Sequence, residues 1–200
     1  MTPVFSTAYL PPIAYVAAML QHTEILIETK ETFPKQTYRN RTEIMTAGGM
    51  RTLSVPVLRN NHSRTEEVGI DYKERWNIIH LRTLAAAYSA SPYYLYYKDD
   101  LETLLTQRYD KLVDLNEAVL EWIQRLLKSD CRLLRTEEYQ KEYTMDFRNT
   151  FSPKVPYPTE GHEKYYQVFS DRMPFTPNLS VIDLLMNLGP EAKEYLKRTV

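Results

Sequence analysis

VFSTAYLPPIAYVAAMLQHTEILIE, residues Val4 to Glu28, decides the fold. Val4 to Thr7 reads as a short extended strand. Tyr9-Leu10-Pro11-Pro12 makes a turn, because two prolines fix φ and block a preceding helix. Pro12 then opens a helix to about His22, with Ile13, Val16, Ala17 and Leu20 at i, i+3, i+4, i+7. Ile25-Leu26-Ile27 follows as a buried strand. Strand, turn, helix and strand within about 27 residues form a compact βαβ unit, which predicts two parallel strands.

Beyond this unit the period changes. Thr37 to Arg41 is polar and β-rich, and Ala47-Gly48-Gly49 is a turn. Leu53, Val55 and Val57 alternate with Thr52, Ser54 and Pro56, a hairpin pattern ending at an edge. Asp71, with Glu74 three residues on, predicts a capped helix carrying Tyr72, Trp76, Ile79, Leu84 and Tyr88 inward. Ser91-Pro92 interrupts it, and a second helix starts at Asp99 or Asp100. A third runs from about Lys111 to Lys128, capped by Asp110, with Leu112, Leu115, Val119, Trp122 and Leu126 on one stripe. Cys131 to Leu134 reads as a strand. Ser180 begins a helix that stops at Gly189, and Pro190 begins the last one. Leu58 to Gly69 and Phe151 to Gly161 hold few apolar anchors and are expected to be the least ordered loops. The fold expected is α/β: one domain over 1–200, a mixed, mostly parallel sheet flanked by helices that outnumber the strands, and a β-hairpin.

Composition narrows the function. Lys+Arg is 25 and Asp+Glu is 26 in 200 residues, a net charge of −1, which argues against a nucleic-acid binder. One cysteine excludes a disulfide framework and a cysteine zinc cluster, and Cys131 reads as a small core residue. Five glycines leave no room for a dinucleotide or P-loop signature. His22, His62, His80 and His162 form no paired metal-ligand spacing. Pro11 to Leu20 is too short to span a bilayer and lacks a basic lead-in, so a cytoplasmic chain is expected. No cofactor is specified.

Three candidate features remain. His80 shares a helix face with Trp76 and Leu84, where a histidine is either a hydrogen-bonded core residue or a site residue. Lys35, Thr37, Arg39 and Arg41 alternate along one segment. As a strand, it would put three cations on one face, either a solvated edge or an anion pocket. Tyr9 lies just past a strand end, where α/β sheets carry ligands.

Together these segments resemble the WbqC-like family. Phe5 to Pro12 matches its "HxPxYLPW" turn, and Tyr38-Arg39-Asn40-Arg41 its "Y-x-N-R" segment. Arg51 to Val57 matches its "W-L-T-V-P-V" strand. Trp76, His80, Pro92 and Tyr93 match a "W-x-x-x-H … Pro-Tyr" pattern, and Leu112 to Asn116 a "Leu-x-x-Leu-Asn" helix. Tyr165 to Phe169 and Phe175 to Pro190 match the closing motif. The resemblance implies bacterial surface-polysaccharide (O-antigen) biosynthesis, with aminoacyl or glycine transfer onto an anionic, sugar- or nucleotide-linked substrate. As an enzyme, the chain is expected to use His80 as the catalytic acid–base and Tyr9, Lys35, Arg39, Asn40, Arg41 and Trp76 to bind substrate, with Tyr9, Asn40, Arg41 and His80 in one concave site. Ser180 and Asp183 are assigned to helix capping. The chain departs from the pattern twice. Phe5 stands at the family's early histidine. Thr29 and Lys30 stand at its acidic pair, with Glu28 the nearest carboxylate. The competing expectations are a transferase, a relative that binds the ligand without chemistry, and an interaction protein using its tyrosine-rich surface.

Overall fold

The computed structural model describes residues 1–154, 157–158 and 163–199. The opening stretch folds as strand β1 (Val4–Ser6), helix α1 (Ile13–Met19) and strand β2 (Glu24–Glu28). β1 and β2 are parallel, with Val4 opposite Leu26 and Ser6 opposite Glu28. β7 (Arg132–Arg135) adds in parallel on the far side of β2, giving the order β1-β2-β7. Ile25 and Ile27 on β2 are buried, and all seven residues of α1 are buried, which explains its Ile/Ala/Val/Met composition.

The antiparallel part stands apart from this sheet. β3 (Arg41–Thr46) and β4 (Gly49–Ser54) form the expected hairpin, and β5 (Val57–Leu58) pairs with β6 (Gly69–Ile70). The α/β class therefore holds, with its parallel and antiparallel pairs in separate sheets. Seven strands and six α-helices occur among the described residues, so helices hold more of the chain but do not outnumber strands. One connected core of buried side chains runs from Phe5 to Leu196.

The remaining helices are α2 (Trp76–Tyr88), α3 (Tyr94–Thr106), α4 (Leu112–Leu127), α5 (Val181–Leu188) and α6 (Ala192–Arg198). α2 starts later than its sequence suggests. Asp71 Oδ1 accepts the Lys73 N–H at 3.0 Å, closing a local turn, and Arg75 is left-handed at φ 46°. The helix can start only after that residue. α3 starts at Tyr94, so Asp99 and Asp100 are exposed positions within it rather than caps. α4 starts after Lys111, and no side chain caps it. Cys131 is buried, as expected, and burial pushes its thiol upward.

The segment 58–69 is not a bare loop. Thr65–Glu67 forms a 3-10 turn, and Thr65 and Glu66 donate backbone N–H groups to the Glu31 and Thr29 carbonyls, each at 2.9 Å. In the other expected loop, Phe151 is buried between Phe147 and Tyr15. Residues 155–156 and 159–161 of that stretch lie outside the described residues.

The C-terminal third closes the first turn. Ile13 and Ala14 at the start of α1 donate to the Leu179 carbonyl at 2.9 Å and to Asn178 Oδ1 at 2.8 Å. These bonds satisfy helix-end donors that proline cannot cap. Leu10 sits at φ 43°, a conformation costly for a branched side chain. Its carbonyl accepts from Thr42 Oγ1 at 2.7 Å and Ser180 Oγ at 3.0 Å. Ser180 also caps α5 by accepting the Ile182 N–H. Ser180→Ala removes both contacts and is expected to cost about 1–2 kcal/mol, read by chemical denaturation. An unchanged midpoint would remove Ser180 as the staple.

Candidate functional site

The carboxyl ends of the parallel strands gather polar groups, as this architecture favours. Tyr9 N–H donates to the Tyr38 carbonyl at 2.8 Å, so the loop after β1 meets the segment that precedes the hairpin. Asn116 on α4 is fully buried. Its Nδ2 donates to Thr7 Oγ1 at 2.9 Å and to the Arg39 carbonyl at 2.8 Å, fixing both loops.

The Lys35–Arg41 segment arrives there, but not as a strand. Gln36 is left-handed, and Thr37, Tyr38 and Arg39 are successively buried, so the three cations do not share a face. Lys35 is exposed, and its carbonyl accepts from Lys154 Nζ. Arg39 is 2% exposed, pairs with Glu31 at 2.6 Å and donates to the Arg148 carbonyl at 3.3 Å. Its guanidinium serves an internal carboxylate, which corrects its placement in an open anion pocket. Asn40 Nδ2 donates to the Val55 carbonyl at 2.9 Å, while Val55 N–H donates to the Asn40 carbonyl at 2.7 Å. That pair closes the base of the hairpin. Arg41 opens β3 opposite Ser54, with its Nε buried and without an acceptor.

Tyr9, Trp76 and His80 do come together. Tyr9 Oη and His80 Nδ1 are 2.9 Å apart, and the Trp76 ring lies edge-on to His80 with centroids 5.1 Å apart. His80 is only 4% exposed. Burial pulls its pKa down to about 4, a hydrogen bond with the Ser54 backbone opposes this, and Arg51 adds to it. A neutral ring that donates to the Ser54 backbone and accepts from the Tyr9 hydroxyl satisfies both. Burial pushes the Tyr9 phenol upward, keeping it a donor. The expectation that His80 opens on a cleft is not met. Trp76 is buried with it, and its indole Nε1 has no acceptor. Lys35, Arg39 and Arg41 make no hydrogen bond to this group among the described residues.

A second polar group forms where β2 ends. Glu28 is fully buried: Oε1 accepts from Thr136 Oγ1 at 3.0 Å and Lys30 N–H at 2.7 Å, and Oε2 from Arg148 Nη1 at 3.3 Å. Arg148, 5% exposed, clamps Asp146, donates to the Gln140 and Lys141 carbonyls, and lies 4.8 Å from the Tyr143 ring centre. It holds the Asp146 carboxyl below the usual carboxylate range. Burial pushes Glu31 upward; Arg39 opposes this, and nearby Glu28 reinforces it. An acidic pair therefore exists in space, as Glu28 and Glu31 with Arg148 and Arg39 as counter-ions.

Beside this network lies a cleft of about 660 Å³, lined by Leu26, Leu134, Arg135, Thr136, Glu137, Glu138, Gln140 and Tyr143. Arg135 is already held by Glu117 and Asp114, while Glu137 and Glu138 are exposed. Sequence reasoning missed Glu31, Asp146, Arg148 and Tyr143. The available signals were Glu-x-x-Glu directly after a buried strand and Asp-x-Arg at 146–148. Among the described residues, no three His, Cys, Asp or Glu side chains group so as to hold a metal ion.

The closing motif is internal framework. Asp183, 1% exposed, accepts from Tyr165 Oη at 2.6 Å and Gln167 Nε2 at 3.0 Å, and burial pushes its carboxyl upward. Phe5 packs in an aromatic group with Phe147 at 4.8 Å and Tyr15 at 5.1 Å.

These features define an α/β protein with a small parallel sheet, a buried carboxylate–guanidinium network at its carboxyl edge, and a C-terminal staple across the first turn. The sequence pattern of the WbqC-like protein family matches residues 7–151 and 151–195, and the chain belongs to that family. A relative from Mycobacterium tuberculosis, named "Uncharacterized protein Rv1507c", is 26% identical over 226 aligned residues, covering 97% of this chain and 96% of its own. No solved structure matches. Among the described residues, no helix is long and apolar enough to cross a membrane.

Proposed function

We propose that this chain is a cytoplasmic transferase of surface-polysaccharide or nucleotide-sugar modification, working in the cleft at the carboxyl edge of the parallel sheet. The observation that supports it is the buried Glu28–Arg148 pair, tied outward to the exposed Asp146, set directly behind that cleft. A buried ion pair is weak evidence for stability, because desolvation offsets its attraction. Here it holds Thr136 and the Gln140 carbonyl, on two residues of the cleft wall. Glu137, Glu138 and Gln140 supply acceptors for sugar hydroxyls, and Tyr143 supplies a ring face for a sugar. In this reading His80 is a positioning residue that fixes Tyr9, and an exposed Glu137 or Glu138 takes the proton of the attacking group.

The second reading is a relative that binds the same ligand without chemistry. Phe5 in its aromatic cluster and the closed surroundings of His80 favour it. One experiment covers both. The protein is melted with nucleotide sugars, amino acids and nucleoside phosphates, and the mixtures are then assayed for transfer products. A ligand at a hundred times its Kd stabilises by about 2.7 kcal/mol. The transferase reading expects such a ligand and product formation, loss of product with binding retained in Glu137→Gln/Glu138→Gln, and weakened binding in Tyr143→Ala. Binding without product selects the second reading. No midpoint shift with any ligand at millimolar concentration overturns both.

A further inference from the structure

The geometry points to a phosphate-binding site in a different place, the cleft between the β3–β4 hairpin and α2, held by Arg51 and Arg82. The inference does not rest on the reading above. This cleft measures about 410 Å³, and its lining includes Thr46, Ala47, Gly48, Ile79 and Thr83 along with the two arginines. That volume falls in the range of small-ligand sites.

Its charge is one-sided. No acidic residue lines it, and α2 and β4 carry none at all. Arg51 is opposite Ile44 in the hairpin register, so it lies on the face turned toward α2. Glu43, the acidic residue on β3, points to the other face and binds the Tyr38 hydroxyl at 2.9 Å. Neither Arg51 nor Arg82 forms an ion pair among the described residues. Arg82 also borders a second groove that contains Asp99 and Glu102, yet it pairs with neither. This sets them apart from Arg39, Arg135 and Arg148, each of which is bound to a carboxylate. Two unpaired guanidinium forks across an apolar floor can each take two oxygens of one phosphoryl group, while the lining Thr46 and Thr83 hydroxyls stay donated to the Gly49 and Ile79 carbonyls, each at 2.8 Å. Ile79 and Ala86 provide the floor on which the uncharged part of the ligand would lie.

The test uses inorganic pyrophosphate and the full chain, read by isothermal titration calorimetry and by phosphorus NMR line width. Saturable one-site binding is expected. Arg51→Ala or Arg82→Ala should weaken it at least tenfold, and the double variant should abolish it. Arg51→Lys/Arg82→Lys keeps the charge but loses the forks, and should also weaken binding at least tenfold. Arg125→Ala, on the exposed side of α4, is the control and should bind like the wild type. Equal melting midpoints exclude unfolding, because both cleft arginines are exposed. Unchanged binding in the double alanine variant overturns the site. Wild-type affinity in the double lysine variant reduces it to unspecific charge attraction and overturns it too. Tighter binding of malonate than of pyrophosphate overturns the phosphate assignment. None of these readouts involves transfer activity, so the result stands apart from that of the carboxyl-edge cleft.

Discussion

Arg148→Leu is expected to destabilise the fold by about 3–5 kcal/mol, the cost of stranding a buried charge. Glu28 has no exposed surface, and among the described residues Arg148 is its only cationic partner. Removing the guanidinium also unbinds Asp146 and two backbone carbonyls. For a chain of this length the loss corresponds to a fall of roughly 10 °C in melting midpoint. Glu28→Gln alone should cost far less, because the amide oxygen can still accept from Thr136 and Lys30. The double variant Glu28→Gln/Arg148→Leu should recover part of the loss, since no unpaired charge remains there. A cost below about 1 kcal/mol for Arg148→Leu would show that water reaches the pair, and the buried network would be wrong.

The second large effect is the acid sensitivity written into His80. Its pKa falls from 6.5 in the unfolded chain to about 4 in the fold, so folding favours the neutral ring. The stability this gives is complete above pH 6.5 and is lost as pH falls toward 4, amounting to about 3 kcal/mol. Glu31 and Asp183 act with the opposite sign, because burial raises them and acid favours their folded form. The His80 contribution is therefore read as a difference. Unfolding free energies of wild type and His80→Gln are compared between pH 7 and pH 4. The wild-type advantage should shrink by about 3 kcal/mol across that window. A constant difference would mean that His80 is solvated, and would return it to the list of proton-transfer residues.

The opening stretch shows why part of the fold is legible. Periods of two and of 3.6 are local, and Pro11-Pro12 separates them, so β1, α1 and β2 and their parallel pairing follow from the residues alone. The hairpin, the stripe of α4 and the Ser180 cap are local in the same way. Helix starts were harder. Asp71 and Asp99 each carry a capping signal, but the left-handed Arg75 and the position of Tyr93 set the true starts, and no local pattern announces them.

For the candidate site, the sequence by itself determined that Tyr9 would meet the Lys35–Arg41 segment. A parallel pair sends both following loops to one edge. Tertiary structure alone decided what each residue does there. Arg39 was a candidate substrate ligand until Glu31 came within 2.6 Å of it. His80 was a candidate acid–base until Tyr9, Trp76 and the Ser54 backbone closed around it. Glu28 meets Arg148 across 120 residues, and Arg51 faces α2 from another element. Charge pairing and burial depend on distance in space. A sequence supplies the partners, but only the packed chain says which of them meet and which are left open to a ligand.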